Sequence, residues 1–237
     1  MLRIKYIAGL VFLSLSTVSW SGDGFYVGLG VGPQSANFSQ DASINQPPSP
    51  FNAFQNFSVI DKSKLAGRGL FGSLFGGFGR RFCMQGFVAN SLYLAAELNG
   101  DLSSTQFESS NSEFIHANFS KTTMKIENTY GISLLPGYYF GCNTLFYARL
   151  GYLRSHFTVD TTDTSLANVS TGLDGFRCGL GIKQNLTPKF AFRMEWSRSS
   201  YQGTSFSTLD PASLVAKTTT ITPRTDKVEF ALVYDIC

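Results

Sequence analysis

Apolar residues alternate with small or polar ones in eight segments of this chain, and this pattern limits the folds that it can adopt. In the last segment, VEFALVYDIC, every second residue from Val228 to Ile236 is apolar, whereas the intervening face includes Glu229 and Asp235. Successive side chains of a β-strand point to opposite faces, so this pattern predicts strands with one apolar face. Beyond residue 21, no apolar run reaches the length of a membrane-spanning helix. The pattern therefore predicts an all-β chain.

The eight predicted strands differ in how clearly their faces can be assigned. Their sequences, in order, are GFYVGLGVG, GRGLFGSLFGGFGRRF, NSLYLAAELNGDL, ENTYGISLLPGYYF, TLFYARLGYLRSHF, DGFRCGLGIK, KFAFRMEWSRSSY and VEFALVYDIC. The second segment carries Phe or Leu on both faces, so its orientation stays open. Pro136 interrupts the fourth segment, which predicts a bulge or a strand end there, because proline cannot donate to a ladder.

The connections between the predicted strands alternate in length. The segments RRFCMQG, GCNT and NLTP are short turns, whereas the other connections are long and polar, such as residues 39–64 and 199–224. Loops of that length are uncommon in compact soluble domains. Short turns at one end and long loops at the other are typical of an outer-membrane barrel with extracellular long loops.

The apolar face could point either into a soluble, lipocalin-like core or out to lipid. The opposite face is rich in glycine, which suits the narrow interior of an eight-stranded barrel better than an exposed strand surface. Strands of about ten residues also fit the 9–11 residues that a tilted membrane strand needs. The sequence therefore predicts an eight-stranded antiparallel up-and-down transmembrane β-barrel. Tyr152, Trp196 and Tyr201 are expected near the membrane interfaces.

The N-terminus has the composition of a secretory signal. MLRIK is a basic region, YIAGLVFLSLS is an apolar core, and small residues follow. We predict a signal peptide over residues 1–21, cleaved after Ser21 with Ser19 as the rival site, and a barrel domain over residues 22–237. Cleavage lowers the Lys and Arg count from 19 to 17, against 16 acidic residues. The mature charge is thus close to zero, which argues against nucleic acid as a partner.

Several of these segments resemble a known family. GFYVGLGVG, YLAAELNGDL, TLFYARLGYL, GLGIKQNLTPKFAFRMEWSRSSY and FALVYDI are similar to successive strands of the small OmpA-like and opacity-type bacterial outer-membrane barrels. The resemblance implies a multi-pass protein of the bacterial outer membrane, in contact with outer-membrane lipid, and a last strand that the barrel-assembly machinery reads. It departs from longer members by lacking a peptidoglycan-binding domain after the last strand, and it ends in Cys237 where Phe is usual.

The resemblance also implies a non-enzymatic function without a cofactor. Envelope structure, adhesion or surface recognition through the long loops would involve envelope or host-surface partners, and we expect a monomer. The alternatives are a narrow pore or an outer-membrane lipid-modifying enzyme. Only His116 and His156 could act as general bases near neutral pH. Ser155 adjoins His156, but neighbours on a strand point to opposite faces, so we assign no catalytic or metal-binding residue.

Charged residues lie on the predicted lumen face. They are Glu97, Arg149, Arg177, Lys183, Arg193, Glu195 and Glu229. The family resemblance implies an interior ion-pair network, with Glu97 and Arg193 as the expected pair. One interpretation is that these charges satisfy one another in a narrow lumen, because buried ions need partners. The other is a channel that opens when ion pairs part, which the conductance of a Glu97→Gln variant would test.

The four cysteines allow three complete pairings, and exported proteins can hold disulfides. Cys83 and Cys142 both fall in short turns at the same end of the predicted barrel, between strands that neighbour each other. A Cys83–Cys142 disulfide is therefore a hypothesis, with free thiols or other pairings as the alternatives. Cys178 is expected to face lipid.

Overall fold

A computed structural model describes residues 24–45, 60–83, 91–113, 118–140, 143–161, 169–209 and 216–236. The predicted signal peptide and its cleavage sites lie outside these residues, so both stay predictions. Within the described ranges, no helix is long and apolar enough to cross a membrane.

The described residues form ten β-strands. They are β1 Gly24–Asn45, β2 Ile60–Cys83, β3 Ser91–Ser103, β4 Gln106–Glu113, β5 Asn118–Phe140, β6 Thr144–Thr161, β7 Val169–Asn185, β8 Phe190–Tyr201, β9 Thr204–Leu209 and β10 Ala216–Ile236. Strand β4 follows β3 after a two-residue break, and β9 follows β8 in the same way. The ten strands therefore occupy eight positions around the barrel, which we call staves. Two staves are interrupted, the one made of β3 and β4 and the one made of β8 and β9.

The eight staves close into an antiparallel barrel. Around the ring the order is β1, β2, β3, β5, β6, β7, β8 and β10, and β10 pairs again with β1. In the closing ladder Phe25 pairs with Ile236 and Val31 with Phe230. Closure leaves the ring without an edge strand. The prediction of an eight-stranded antiparallel barrel is confirmed.

The barrel has its apolar side chains outside and its polar ones inside. Burial alternates strictly along β3 and β8, and outward residues such as Leu29 and Leu98 are about two-thirds exposed, at 66% and 65%. Strand β2, whose facing the sequence left open, directs Leu70 and Leu74 outward. Phe71 and Phe75 of the same strand are buried in the lumen. In a membrane the exposed apolar band would lie against lipid.

Two expectations about individual residues are wrong. Strand β5 runs through Pro136 to Phe140, and its ladders to β3 and β6 keep one register on both sides of the proline. The missing N–H interrupts the pairing with β6 without shifting it. Tyr201 does not lie at a lipid interface, because it is buried in the lumen. It occupies an inward position of the alternation on β8.

The long connections contain more β-structure than their polarity predicts. Strand β1 continues to Asn45 and β2 begins at Ile60, inside a stretch expected to be a loop. Likewise β9 and the first part of β10 occupy much of residues 199–224. The strands thus project past the apolar band, and cross-strand Ser–Thr pairs such as Ser39 with Thr222 help to stabilise them there.

Beyond the barrel wall these projections separate into two antiparallel sheets of four strands. Sheet A contains the outer parts of β2, β1 and β10 together with β9. Sheet B contains β4 with the outer parts of β5, β6 and β7. Among the described residues, β2 and β4 pair only at Arg68 and Gln106, and β7 and β9 do not pair. Two gaps therefore separate the sheets.

Candidate functional site

The centre of the lumen holds a carboxylate that two arginines share. Glu97 of β3 is 1% exposed, with Arg149 Nη2 2.6 Å from its Oε1 and Arg193 Nη1 2.7 Å from its Oε2. Each arginine then reaches a second carboxylate. Arg149 Nε lies 2.6 Å from Glu195 Oε1, and Arg193 Nη2 lies 2.5 Å from Glu229 Oε1. These five residues, which we call the central cluster, form one continuous chain of ion pairs.

Hydroxyl groups complete the hydrogen bonding of these three carboxylates. Tyr26 donates to Glu97 at 3.0 Å, Tyr147 donates to Glu195 at 2.7 Å, and Ser73 donates to Glu229 at 2.9 Å. The Arg193 guanidinium also lies 3.5 Å from the centre of the Phe75 ring. Buried charges are tolerated when they are both paired and hydrogen-bonded. Every charge of this cluster is paired, although Arg149 Nε and Arg193 Nε have no hydrogen-bond partner among the described residues.

Close backbone approach makes room for the central cluster. A Cβ atom on Gly30 of β1 would lie 2.5 Å from Ser73 Oγ and 2.8 Å from Glu229 Cγ. Any side chain there would displace the carboxylate that Arg193 contacts. The glycine-rich face therefore points inward, as the crowding argument predicted, because the ion pairs fill the space that side chains would need.

Two smaller clusters lie above and below the central one. Towards the long connections, Asp101 pairs with Arg177 at 2.7 Å and with Lys227. Towards the short turns, Lys183 Nζ lies 2.7 Å from Asp235 Oδ1. Taken together, the three clusters contain as many cations as anions. The cations are Arg149, Arg177, Lys183, Arg193 and Lys227, and the anions are Glu97, Asp101, Glu195, Glu229 and Asp235.

Apolar side chains fill the lumen on both sides of the charges. Near the short turns, Tyr93 and Tyr139 stack edge to face at 5.7 Å, beside buried Leu135 and Leu145. Near the long connections lies a second cluster, composed of Ala36, Met124, Ile126, Leu153, Phe157, Tyr201 and Ile221. Tyr201 accepts a hydrogen bond from Ser155 within this second cluster. The described side chains therefore obstruct the lumen at three levels.

All seven charged residues that the sequence placed on the lumen face form ion pairs, divided among the three clusters. The sequence analysis did not include three further residues of these clusters, which are Asp101, Lys227 and Asp235. The alternation that placed Glu97 inward also places Asp101 inward, four residues further along β3, and Lys227 stands two residues before Glu229. Extending the period by one or two steps would have found them. The pair expected from the family resemblance, Glu97 with Arg193, is present at 2.7 Å, although the period alone does not indicate which ions meet.

The other candidate residues have less to support them. His156 Nε2 lies 2.8 Å from Ser170 Oγ in an exposed position, whereas Ser155 is buried on the other face and bonds to Thr129 and Tyr201. Cys178 is a free, exposed thiol on the outward face, as expected. The Cys83 side chain, Cys142, Cys237 and His116 lie outside the described residues, so the Cys83–Cys142 disulfide stays a prediction.

Known proteins share this architecture. A model of the outer membrane protein β-barrel domain family matches residues 7–232. No curated protein sequence matches the chain.

Solved structures of outer-membrane proteins align along nearly their full length. Outer membrane protein OprG from Pseudomonas aeruginosa aligns with a TM-score of 0.50 and 12% identity, covering 92% of this chain and 100% of that one. Outer membrane protease OmpT from Escherichia coli aligns with a TM-score of 0.46 and 10% identity, covering 93% and 99%. Neisserial surface protein A aligns with a TM-score of 0.40 and 10% identity, covering 90% and 97%. At such identities the likeness concerns the fold alone.

Proposed function

The chain belongs to the outer membrane protein β-barrel domain family, and from this premise we propose that it is a non-enzymatic surface-recognition protein. It is an all-β, multi-pass protein of the bacterial outer membrane. In this proposal the barrel anchors the protein and the projecting strands make contact with a partner on a host surface or in the envelope.

The observation that carries the proposal is the obstructed lumen. Arg193 on β8 bonds to Glu97 on β3, and these strands lie four places apart in either direction around the ring. One ion pair therefore spans the barrel. Apolar clusters lie on both sides of it. Ions would have to break buried ion pairs to pass, which is costly, so the lumen supports a structural role over a pore.

The working surface is then the end with the long connections. Rigid scaffolds commonly present their binding residues on loops, and long loops of outer-membrane barrels are extracellular. Here the scaffold extends outward as Sheets A and B, which hold the outer residues of six staves and two short strands in paired ladders. Such preorganised strands lose less entropy on binding than free loops would.

The enzyme alternative has less support. Among the described residues, the neutral-pH base candidate His156 bonds to Ser170, and no carboxylate bonds to it. A nucleophile–base–orienter arrangement needs that third group. The pore alternative has the lumen charges in its favour, and it makes a measurable prediction that differs from recognition.

Trimming the projections tests the proposed function. Variants with residues 40–62 or 203–221 replaced by short turns would be displayed on a non-adherent bacterium, and binding to epithelial cell layers would be measured. We expect the full-length chain to confer adhesion and at least one trimmed variant to lose it. Heat-dependent gel migration would show that each trimmed barrel still folds.

Planar-bilayer recording supplies the opposing result. The full-length barrel is expected to show no steady conductance. Steady conductance, together with unchanged adhesion after both trims, would replace recognition by a pore.

A further inference from the structure

At the gap between β7 and β9, two strand edges have no ladder partner among the described residues. The last bond that closes the wall at this point runs from Gln202 N to Asp174 O at 2.9 Å. Beyond it, residues 169–173 of β7 pair only with β6, and Thr204–Leu209 pair only with β10. Each of these segments thus has one side of its backbone unpaired among the described residues. The two free edges belong to different sheets and face the same gap.

These two edge segments lack the charged residues and prolines that discourage strand pairing. Their sequences are VSTGL and TSFSTL, without a charged residue or a proline. The gap between β2 and β4 is different. Its edges, IDKSKLAG and FESSNSE, contain lysine, aspartate and glutamate at several positions. Natural proteins place charges, especially lysine, on free edges to prevent strand addition. The β2–β4 gap follows this rule and the β7–β9 gap does not.

We propose that the β7–β9 gap binds an extended, uncharged segment of a partner polypeptide by strand addition. Main-chain hydrogen bonds to the free edge would supply affinity, and alternate side chains would supply specificity. Ser and Thr on both edges favour a partner rich in Thr, Ser and β-branched residues, since such residues pair well across strands. This inference rests on the proposed recognition function, because it assigns that function to one edge pair and one class of partner.

The chain itself provides the probe. Residues 216–221 of β10 pair in register with β9, from Ala216 opposite Leu209 to Ile221 opposite Thr204. A fluorescent peptide copying residues 214–222 with Lys217 replaced by Thr, LVATTTTIT, is uncharged and therefore has side chains suited to the free edge of β9. Its binding to the full-length barrel in lipid nanodiscs would be followed by fluorescence anisotropy. The same peptide with alternate backbone nitrogens methylated tests whether main-chain bonding is required.

Matched lysine variants test the location. The double variant Ser170→Lys, Ser205→Lys places a lysine on each edge of the β7–β9 gap, where both serines are exposed. Ser63→Lys with Ser110→Lys adds the same charge to β2 and β4. We expect the first pair to weaken peptide binding at least tenfold and the second pair to change it less than twofold. Methylation of the peptide should abolish binding to every variant.

The remaining outcomes each decide against the inference. Equal binding to both double variants, or undiminished binding of the methylated peptide, would overturn strand addition at this gap. The barrel could also form a dimer in detergent solution that the Ser170→Lys, Ser205→Lys double variant does not form. That result would assign the gap to a second copy of this chain. If the peptide does not bind but trimming still removes adhesion, strand addition fails and the proposed function stands. If every trimmed variant keeps its adhesion, the proposed function itself is overturned.

Discussion

Arg193 Nη1 lies 2.7 Å from Glu97 Oε2, although the strands that carry them occupy opposite positions of an eight-membered ring. The pair therefore crosses the lumen instead of linking neighbouring staves. Through Arg149 and Glu229 the same contact extends to two more staves. A barrel closed by main-chain bonds around its wall is thus also held together through its centre.

Removing the charge of Glu97 should destabilise the barrel strongly. In Glu97→Gln, Arg149 and Arg193 each lose a buried anionic partner, which costs about 3–5 kcal/mol of the free energy of unfolding. Urea titration in phospholipid vesicles would measure this loss. Glu127→Gln is the matched control, because Glu127 is exposed and its change should stay within about 0.5 kcal/mol. Similar values for the two variants would contradict the central role of the ion pairs.

Two glycines should respond in opposite directions to the same substitution. Gly30→Ala places a methyl group 2.8 Å from Glu229 Cγ, and such overpacking costs about 1–3 kcal/mol. Gly72 faces outward with no heavy atom within 4 Å of its Cβ position. Gly72→Ala should therefore be neutral or stabilise by about 0.4–1 kcal/mol, because it restricts the unfolded chain. Equal effects in the same urea titration would mean that Gly30 does not limit the lumen.

The outward face should reject charge in a depth-dependent way. Leu29→Arg introduces a cation into the apolar band, which costs about 2–4 kcal/mol in outer-membrane barrels. Ser35→Arg lies beyond the outward apolar residues of β1 and should cost about 0–1 kcal/mol. The difference between the two free energies of unfolding in vesicles measures the depth of the band. No difference would count against lipid contact at Leu29.

Peptide mapping under non-reducing conditions tests the hypothesis of a Cys83–Cys142 disulfide. We expect a linked peptide pair that reduction separates, and a Cys178 thiol that alkylates without reduction, because Cys178 is free and outward. The Cys178→Leu variant is the control for assignment of the alkylated peptide. Recovery of both Cys83 and Cys142 as free thiols would eliminate the disulfide.

Period-2 alternation predicted the inward charges, but it did not predict their partners. Glu97, Arg149 and Arg193 were assigned to the lumen because each lies on the polar face of an alternating strand. Asp101 and Lys227 lie on the same inward faces, and extending the alternation along β3 and β10 would have predicted them. Strand β2 could not be oriented, since Phe and Leu occur on both of its faces. In the structure Phe75 is inward, where Arg193 of a distant strand lies over its ring.

Polar composition also misled at the outer end of the barrel. Segments rich in Ser and Thr were expected to be loops. In the structure such segments form the ladder between β9 and β10, from Leu209 opposite Ala216 to Thr204 opposite Ile221. Strand formation in such segments depends on a partner ladder, which a single sequence does not display. The sequence also did not predict the gap between β7 and β9, because an unpaired edge is recognised only once the neighbouring strand is known.

Sequence alone established the alternation and the number of strands, because a strand's side-chain period is fixed by backbone geometry. The outward apolar face and the Glu97–Arg193 pair were expectations from glycine content and family resemblance. The fold itself established that β1 and β10 close the wall, that the clusters balance in charge and that the outer strands separate into two sheets. Those contacts depend on ring order, register and strand divergence, which are set by pairing between distant segments.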